Sequence, residues 1–278
     1  MTLKLYISQK FLMKGLTISF VGSGRVTETL APALFRSGVT INRILSRNLL
    51  TATDVASKSG AIASDIMLVP ADTDIVIVAV ADDSIRDVTG KIRYEGTPVV
   101  VHTSGGTEMA VLAGTATRFG VIYPLQTFTH GRVIALDRVH LFTEASDGPT
   151  HKLIDEVAGR LSGNIHHLDS EERRALHLSA VFVSNFVNHM MRTGFETAAH
   201  WRIDREVFGE LIKETVAKAL EIGPAAAQTG PAVRNDRNTI EKHMELLSFS
   251  DDLQNLYSVV TESIIHHTQQ KTGRVKNE

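Results

Sequence analysis

Short apolar runs and helix-like stretches take turns from Leu16 to about Asp169. The runs "LTISFVG", "INRILSR", "TDIVIVAV", "TPVVVHTSG" and "FGVIYPL" are rich in β-branched residues and predict strands. Between the first two, "RVTETLAPALFRSG" sets Val26, Leu30, Ala33 and Leu34 at helical spacing, with Gly38 as a stop. "IVIVAV" is apolar on both faces, as a central parallel strand covered by helices must be. "VHLFTEASD" and "NIHHLD" predict further strands at the far edge, around the helix "PTHKLIDEVAGRLSG". The alternation predicts an α/β fold, a doubly wound Rossmann sheet over residues 15–169.

Past Asp169 the strand signal ends. "SEERRALHLSAVFVSNFVNHMMRTGFETAAHW" is one long helical pattern, with Ser170 as its expected N-cap. "DREVFGELIKETVAKALEIG", capped by Asp204 and stopped by Gly223, "NTIEKHMELLS" and "DDLQNLYSVVTESIIHHTQQ" predict three more helices. Residues 170–278 are therefore expected to form an all-α domain. Residues 1–14 read as an extension, interrupted by Lys4, Lys10 and Lys14 and lacking a cleavage signal, with Met13 as an alternative start.

Composition narrows the function classes. A chain of 278 residues with 43% hydrophobic and 22% charged residues supports a substantial core. A net charge of -2 gives no reason to expect nucleic acid, and no apolar run approaches the ~20 residues of a membrane span. The lack of cysteine excludes disulfides and thiolate chemistry, and fits a cytoplasmic location.

The sharpest motif is the turn after the first strand. Gly22, Ser23 and Gly24, followed by Arg25 and Val26 at a helix start, suit a pyrophosphate at the helix N-terminus. Thr27 replaces the third glycine of the dinucleotide fingerprint and is small enough for that packing position. Methyltransferases use similar turns, so the second strand has to decide. An NAD site ends that strand with an acid; here it ends in Ser46, Arg47 and Asn48, which suits the 2′-phosphate of NADP. The competing reading of Arg47 is an ordinary surface charge.

"FVGSGRVTETL", "TDIVIVAVADDSI", "VHTSGG", "YPLQTF", "HLSAVFVSNFVNH" and "TGPAVRNDRNTI", in that order, resemble the two-domain Rossmann-like NADP oxidoreductases with a DUF2520 C-terminal domain. The resemblance runs from about Leu16 to the C-terminus. More distantly the layout is similar to pyrroline-5-carboxylate reductase, ketopantoate reductase and the β-hydroxyacid dehydrogenases. It implies a helical second domain that forms a homodimer and closes over the nicotinamide. It names no substrate. Tyr123 stands where many relatives would carry histidine, so no histidine role transfers to that position.

Several residues are candidates for chemistry. Val80, Ala81 and Asp82 follow a strand end that passes the adenosine side of the cofactor in this class, although Asp82 also suits a helix cap. Ser104 and Gly105, in "VHTSGG", offer a hydroxyl and open N–H groups to a substrate, or else cap a turn. Gln126 could face the same cleft. On the long helix His177, Ser184 and Asn188 lie within ~40° of one another at ~100° per residue, with Asn185 at the margin. Catalysis and a satisfied interfacial network explain that polar stripe equally well. Arg234 could anchor a substrate carboxylate, oriented by Asp236. No histidine pair has the spacing of a helical metal site, and no metal is expected. The expected function is an NADP(H)-dependent oxidoreductase that reduces a small carbonyl or imine substrate, with a sensor dimer lacking turnover as the alternative.

Overall fold

The computed structural model describes residues 15–275, so the extension over residues 1–14 and the alternative start at Met13 lie outside the described residues. Every predicted strand forms, and three short ones join them. In chain order they are β1 (Thr17–Val21), β2 (Thr40–Leu45), β3 (Ile62–Ser64), β4 (Leu68–Val69) and β5 (Ile75–Val78). Then come β6 (Arg93–Tyr94), β7 (Val99–His102), β8 (Phe119–Pro124), β9 (Leu141–Ala145) and β10 (Ile165–His167). Helices α1 (Arg25–Arg36), α2 (Leu49–Ser59), α3 (Ile85–Thr89) and α4 (Gly148–Gly159) connect them, and α5 (Ser170–Ala180) follows.

Eight strands make one sheet in the order β10-β9-β8-β7-β5-β1-β2-β3. All neighbours run parallel except β8 and β9. β4 and β6 form a separate parallel pair. The chain winds outward from β1 to β3 and then returns to the other side of β1 with β5. Between β1 and β5 lies the switch point, where the carboxyl ends of strands open a crevice for a ligand.

The apolar patterning of the central strands is obeyed. The side chains of β5 and residues Val99, Val100 and Val101 of β7 are all at most 1% exposed. One face packs Ile18, Phe20, Ile44 and Ile77 under α1, α2 and α4. The other packs Val21, Leu45, Val76 and Val78 against Ile85 and Leu112. Burying apolar side chains on both faces contributes roughly 1.5–3 kcal/mol per large residue, which fixes the sheet as the rigid floor of any site at its edge.

The chain divides into two compact units after Phe186. α5 belongs with the sheet because a buried arginine on it is bonded to sheet and loop, as shown below. The N-cap of α5 differs from expectation. Asp169, not Ser170, accepts the N–H groups of Glu171 and Glu172, while Glu172 accepts the N–H of Asp169 in return. An ionised carboxylate at a helix N-terminus makes stronger bonds than a hydroxyl, which leaves Ser170 free for other partners.

After α5 a π-helical turn covers Val181–Phe186. The second unit, from Val187 onward, is all-α among the described residues, as predicted. It comprises α6 (Val187–His200), α7 (Gly209–Ile222), α8 (Pro224–Ala227), α9 (Arg237–Leu246) and α10 (Asp251–Val275). Asp204 caps a short 3-10 turn, Arg205–Phe208, ahead of α7 rather than α7 itself. Among the described residues, no helix is long and apolar enough to cross a membrane.

Candidate active site

β1 delivers the glycine turn to the crevice. Gly22 has φ +100°, and a Cβ there would stand 2.3 Å from the carbonyl oxygen of Ala79 at the end of β5, so only glycine fits. At Gly24 a Cβ would meet nothing within 4 Å. Packing does not require that glycine; an approaching ligand would. Gly24 is also the N-cap of α1 and brings no side chain to the first-turn N–H groups. Arg25 and Val26 open that helix, and the exposed Arg25 side chain makes no hydrogen bond or ion pair with another described residue. An open helix N-terminus approached across glycine is what a phosphate group needs. Thr27 is fully buried, its hydroxyl lacking a hydrogen-bond partner among the described residues, so the third position tolerates bulk at a polar cost.

β2 brings the second half. Ser23 Oγ lies 2.9 Å from Ser46 Oγ and 2.5 Å from Thr51 Oγ1, so three hydroxyls tie the turn to the end of β2 and the first turn of α2. Arg47 is exposed and makes no hydrogen bond or ion pair with another described residue. A guanidinium on the residue next to Ser46, without a partner among the described residues, fits a phosphate monoester on a ribose. Asn48 is otherwise engaged: its side chain is the N-cap of α2 and accepts from the N–H of Thr51. Val80 and Ala81 follow β5 and lead into the 3-10 turn Asp82–Ser84.

The turn after β7 is held by a dense polar network. Ser104 donates to Asp82 Oδ2 at 2.7 Å and accepts the N–H groups of Gly106 and Thr107. Its hydroxyl builds the turn, and Asp82 supports Ser104. Beneath it His102 is fully buried, with Nδ1 accepting the N–H of Ser104 at 3.2 Å. Burial pushes its pKa down to about 4, the nearby Arg173 charge adds to this, and the Glu108 carbonyl opposes it. His102 Nε2 has no hydrogen-bond partner among the described residues.

Arg173 is the hub that the sequence did not single out. It is 1% exposed, ion-pairs with Glu144 of β9, and donates to the carbonyls of Ser104 and Thr107 at 3.3 and 2.5 Å. Ser170, free of capping duty, donates to Glu144 and accepts the N–H of Met109 at 3.0 Å. A buried cation survives only where every donor has a partner, and here one residue of α5 pins the whole 104–109 loop.

Above this floor, Tyr123 Oη at the end of β8 stands 3.1 Å from His177 Nδ1 on α5. The rings meet edge to face with centroids 5.8 Å apart. Gly105 is pressed against both: a Cβ there would lie 2.6 Å from Tyr123 and 2.7 Å from His177 Nδ1. Burial raises the Tyr123 pKa, Asp82 raises it further and Arg173 lowers it, so the phenol keeps its proton at neutral pH. The departure from histidine at Tyr123 thus leaves a titratable group in place.

Gln126 is exposed and turns back to accept the N–H of its neighbour Thr127. The regular stripe of His177, Ser184 and Asn188 does not survive, because the π turn inserts one residue and shifts later positions by roughly 100°. Ser184 is half-buried and Asn185 exposed within that turn. In the second unit Arg234 is exposed and forms no hydrogen bond or salt bridge with another described residue. Asp236 does not orient it; its carboxylate caps α9, and bonds from Thr239 hold its pKa down.

Two family models match the chain. "NADP oxidoreductase coenzyme F420-dependent" covers residues 17–106, and "Domain of unknown function (DUF2520)" covers residues 139–264. Among solved structures, a Bacteroides fragilis protein assigned as an NADP oxidoreductase is 32% identical, with a TM-score of 0.82 over 91% of this chain and 98% of that one. A Thermotoga maritima protein is 22% identical, with a TM-score of 0.69 over 92% and 99% of the two chains. A reductive aminase from Aspergillus terreus, solved with NADPH and ethyl-5-oxohexanoate, shares the fold at 11% identity, with a TM-score of 0.69 over 91% and 95%. The search of curated proteins finds no match.

Proposed function

The chain belongs to the NADP oxidoreductase family with a DUF2520 C-terminal domain, and on that premise we propose that it reduces a small carbonyl or imine compound with NADPH. The observation that carries the reading is the Tyr123–His177 pair, seated against Gly105 at the carboxyl edge of the sheet. When bound, NADPH supplies the hydride. The chain has to hold the cofactor, exclude water and manage the proton.

Gly22, Gly24 and the N-terminus of α1 would hold the pyrophosphate, Ser46 and Arg47 would take the 2′-phosphate, and Val80 and Ala81 would lie toward the adenosine. His177 would give the proton on Nε2 to the heteroatom of the reduced double bond while Tyr123 Oη holds Nδ1 by a hydrogen bond, and solvent then restores the proton to Nε2. Ser104, Asp82 and Arg173 are positioning residues that keep Gly105 under the pair. A chain with the same fold that binds NADPH with a ketoester supports a carbonyl or imine as the reacting group.

The test is NADPH oxidation against a panel of keto acids and ketones, with and without amine donors. Turnover on at least one is expected, and His177→Ala should lower kcat by roughly 10²–10⁴-fold with NADPH affinity nearly unchanged. Tyr123→Phe should lower kcat in the same direction. Tight NADPH binding without turnover on any substrate would favour the sensor dimer instead.

The reading includes a second copy of the chain. Among the described residues from Val187 onward, only Ala198, Ala232 and Thr261 are buried. The same unit carries an apolar cavity of about 550 Å³ lined by Trp201, Leu246, Leu256 and Val260. Apolar surface of that extent is covered in solution, and a homodimer covers it with the least new chemistry.

A further inference from the structure

α4 and β10 bring three ligating side chains to one point, none of them part of the Tyr123–His177 pair. His151 and Asp155 sit one turn apart on α4, and His167 stands on β10. One ligand atom from each lies within 4.8 Å of the other two. His167 Nε2 is 2.9 Å from Asp155 Oδ2, and His151 Nε2 is 3.7 Å from Asp155 Oδ1. Thr143 of β9 donates to Asp155 Oδ1 at 2.9 Å and lies 3.2 Å from His151 Nε2. The two imidazoles approach to 4.1 Å between centroids.

A histidine that merely needs a partner takes one carboxylate oxygen. Here two histidines aim the same ring nitrogen at the two oxygens of one carboxylate. Two imidazoles and a carboxylate form a donor set for a zinc-class divalent ion, with a position left for water. Tetrahedral bonds of about 2.0–2.2 Å place ligand atoms about 3.3–3.6 Å apart, between the two separations observed here. Both histidines and Asp155 keep partial exposure, so an ion has an entry path. Histidine-to-histidine spacing misses this set, because the helix supplies His151 and Asp155 at i, i+4 while the third ligand comes from a strand.

We infer that His151, Asp155 and His167 form a divalent transition-metal site of the zinc class, which staples the three-residue edge strand β10 to α4. Thr143 is its outer support, hydrogen-bonding the carboxylate.

The test is isothermal titration of the full, tag-free chain with zinc ion alone, alongside thermal unfolding with and without zinc. One zinc per chain is expected, with a higher Tm when it is present. His151→Ala and His167→Gln should each weaken binding at least tenfold and remove the Tm gain. His140→Ala should leave both unchanged, since the neighbouring His140–His166 pair offers only two ligands. His167 is the most exposed of the three, so its variant keeps the test valid if His151→Ala fails to fold. No stoichiometric binding to the folded wild type, or binding indifferent to His167→Gln, would overturn the inference.

Discussion

The two units of this chain use their apolar residues in opposite ways. In the sheet unit the central strands β1, β5 and β7 bury every side chain. In the helical unit Leu211, Leu220 and Val259 are more than 60% exposed, and almost nothing is buried. The first has a core of its own; the second leaves large apolar side chains exposed, the surface that the proposed second copy would cover. A self-contained core gives a rigid edge, so the site residues of the sheet unit can be placed to within a hydrogen bond.

The largest test of this contrast is mass in solution. Light scattering at micromolar concentration should give twice the 30.4 kDa of one chain. A monomer would break the comparison.

Next in size is Arg173. Removing it strands the Glu144 carboxylate in a mostly buried place, and losing one partner of such a pair costs about 3–5 kcal/mol. Denaturant unfolding of Arg173→Ala should show a loss of that order, together with weaker NADPH turnover. A loss below about 1 kcal/mol would mean that α5 is not tied to the sheet through this residue.

His102 gives a pH test of the same buried floor. Its pKa is about 4 in the folded chain against 6.5 when exposed. Below pH 6.5 the unfolded chain takes up a proton that the folded chain refuses, so stability falls as pH drops towards 4. The full difference is about 3 kcal/mol, from 1.36 kcal/mol per pKa unit. His102→Asn should flatten that part of the stability curve. Parallel curves for variant and wild type would contradict the assignment.

Much of the sheet unit was legible because patterning and burial agree there. "IVIVAV" predicted a two-sided central strand, and "GSG" between strand and helix predicted the turn that Gly22 closes. Three kinds of feature escaped. The short strands β3, β4 and β6 carry too few residues for a periodic signal. The π turn is written in "VFVSNF", which reads as ordinary helix. Arg173 needed the fold, although a cation near the first turn of a helix opposes the helix dipole and was a signal available beforehand. The Tyr123–His177 pair escaped because its members lie 54 positions apart, one at a strand end and one on a helix. The His151–Asp155–His167 cluster escaped because its members come from a helix and a strand.

The central claim is that the crevice between β1 and β5 is built for NADP and that Arg47 reads its extra phosphate. Titrating the wild type and Arg47→Ala with NADPH and with NADH tests this most directly. A charge-assisted contact is worth roughly 1.5–3 kcal/mol, so wild type should bind NADPH one to two decades more tightly than NADH. In Arg47→Ala that gap should collapse while NADH affinity stays the same. Equal affinities in the wild type, or a gap that persists without Arg47, would contradict the account.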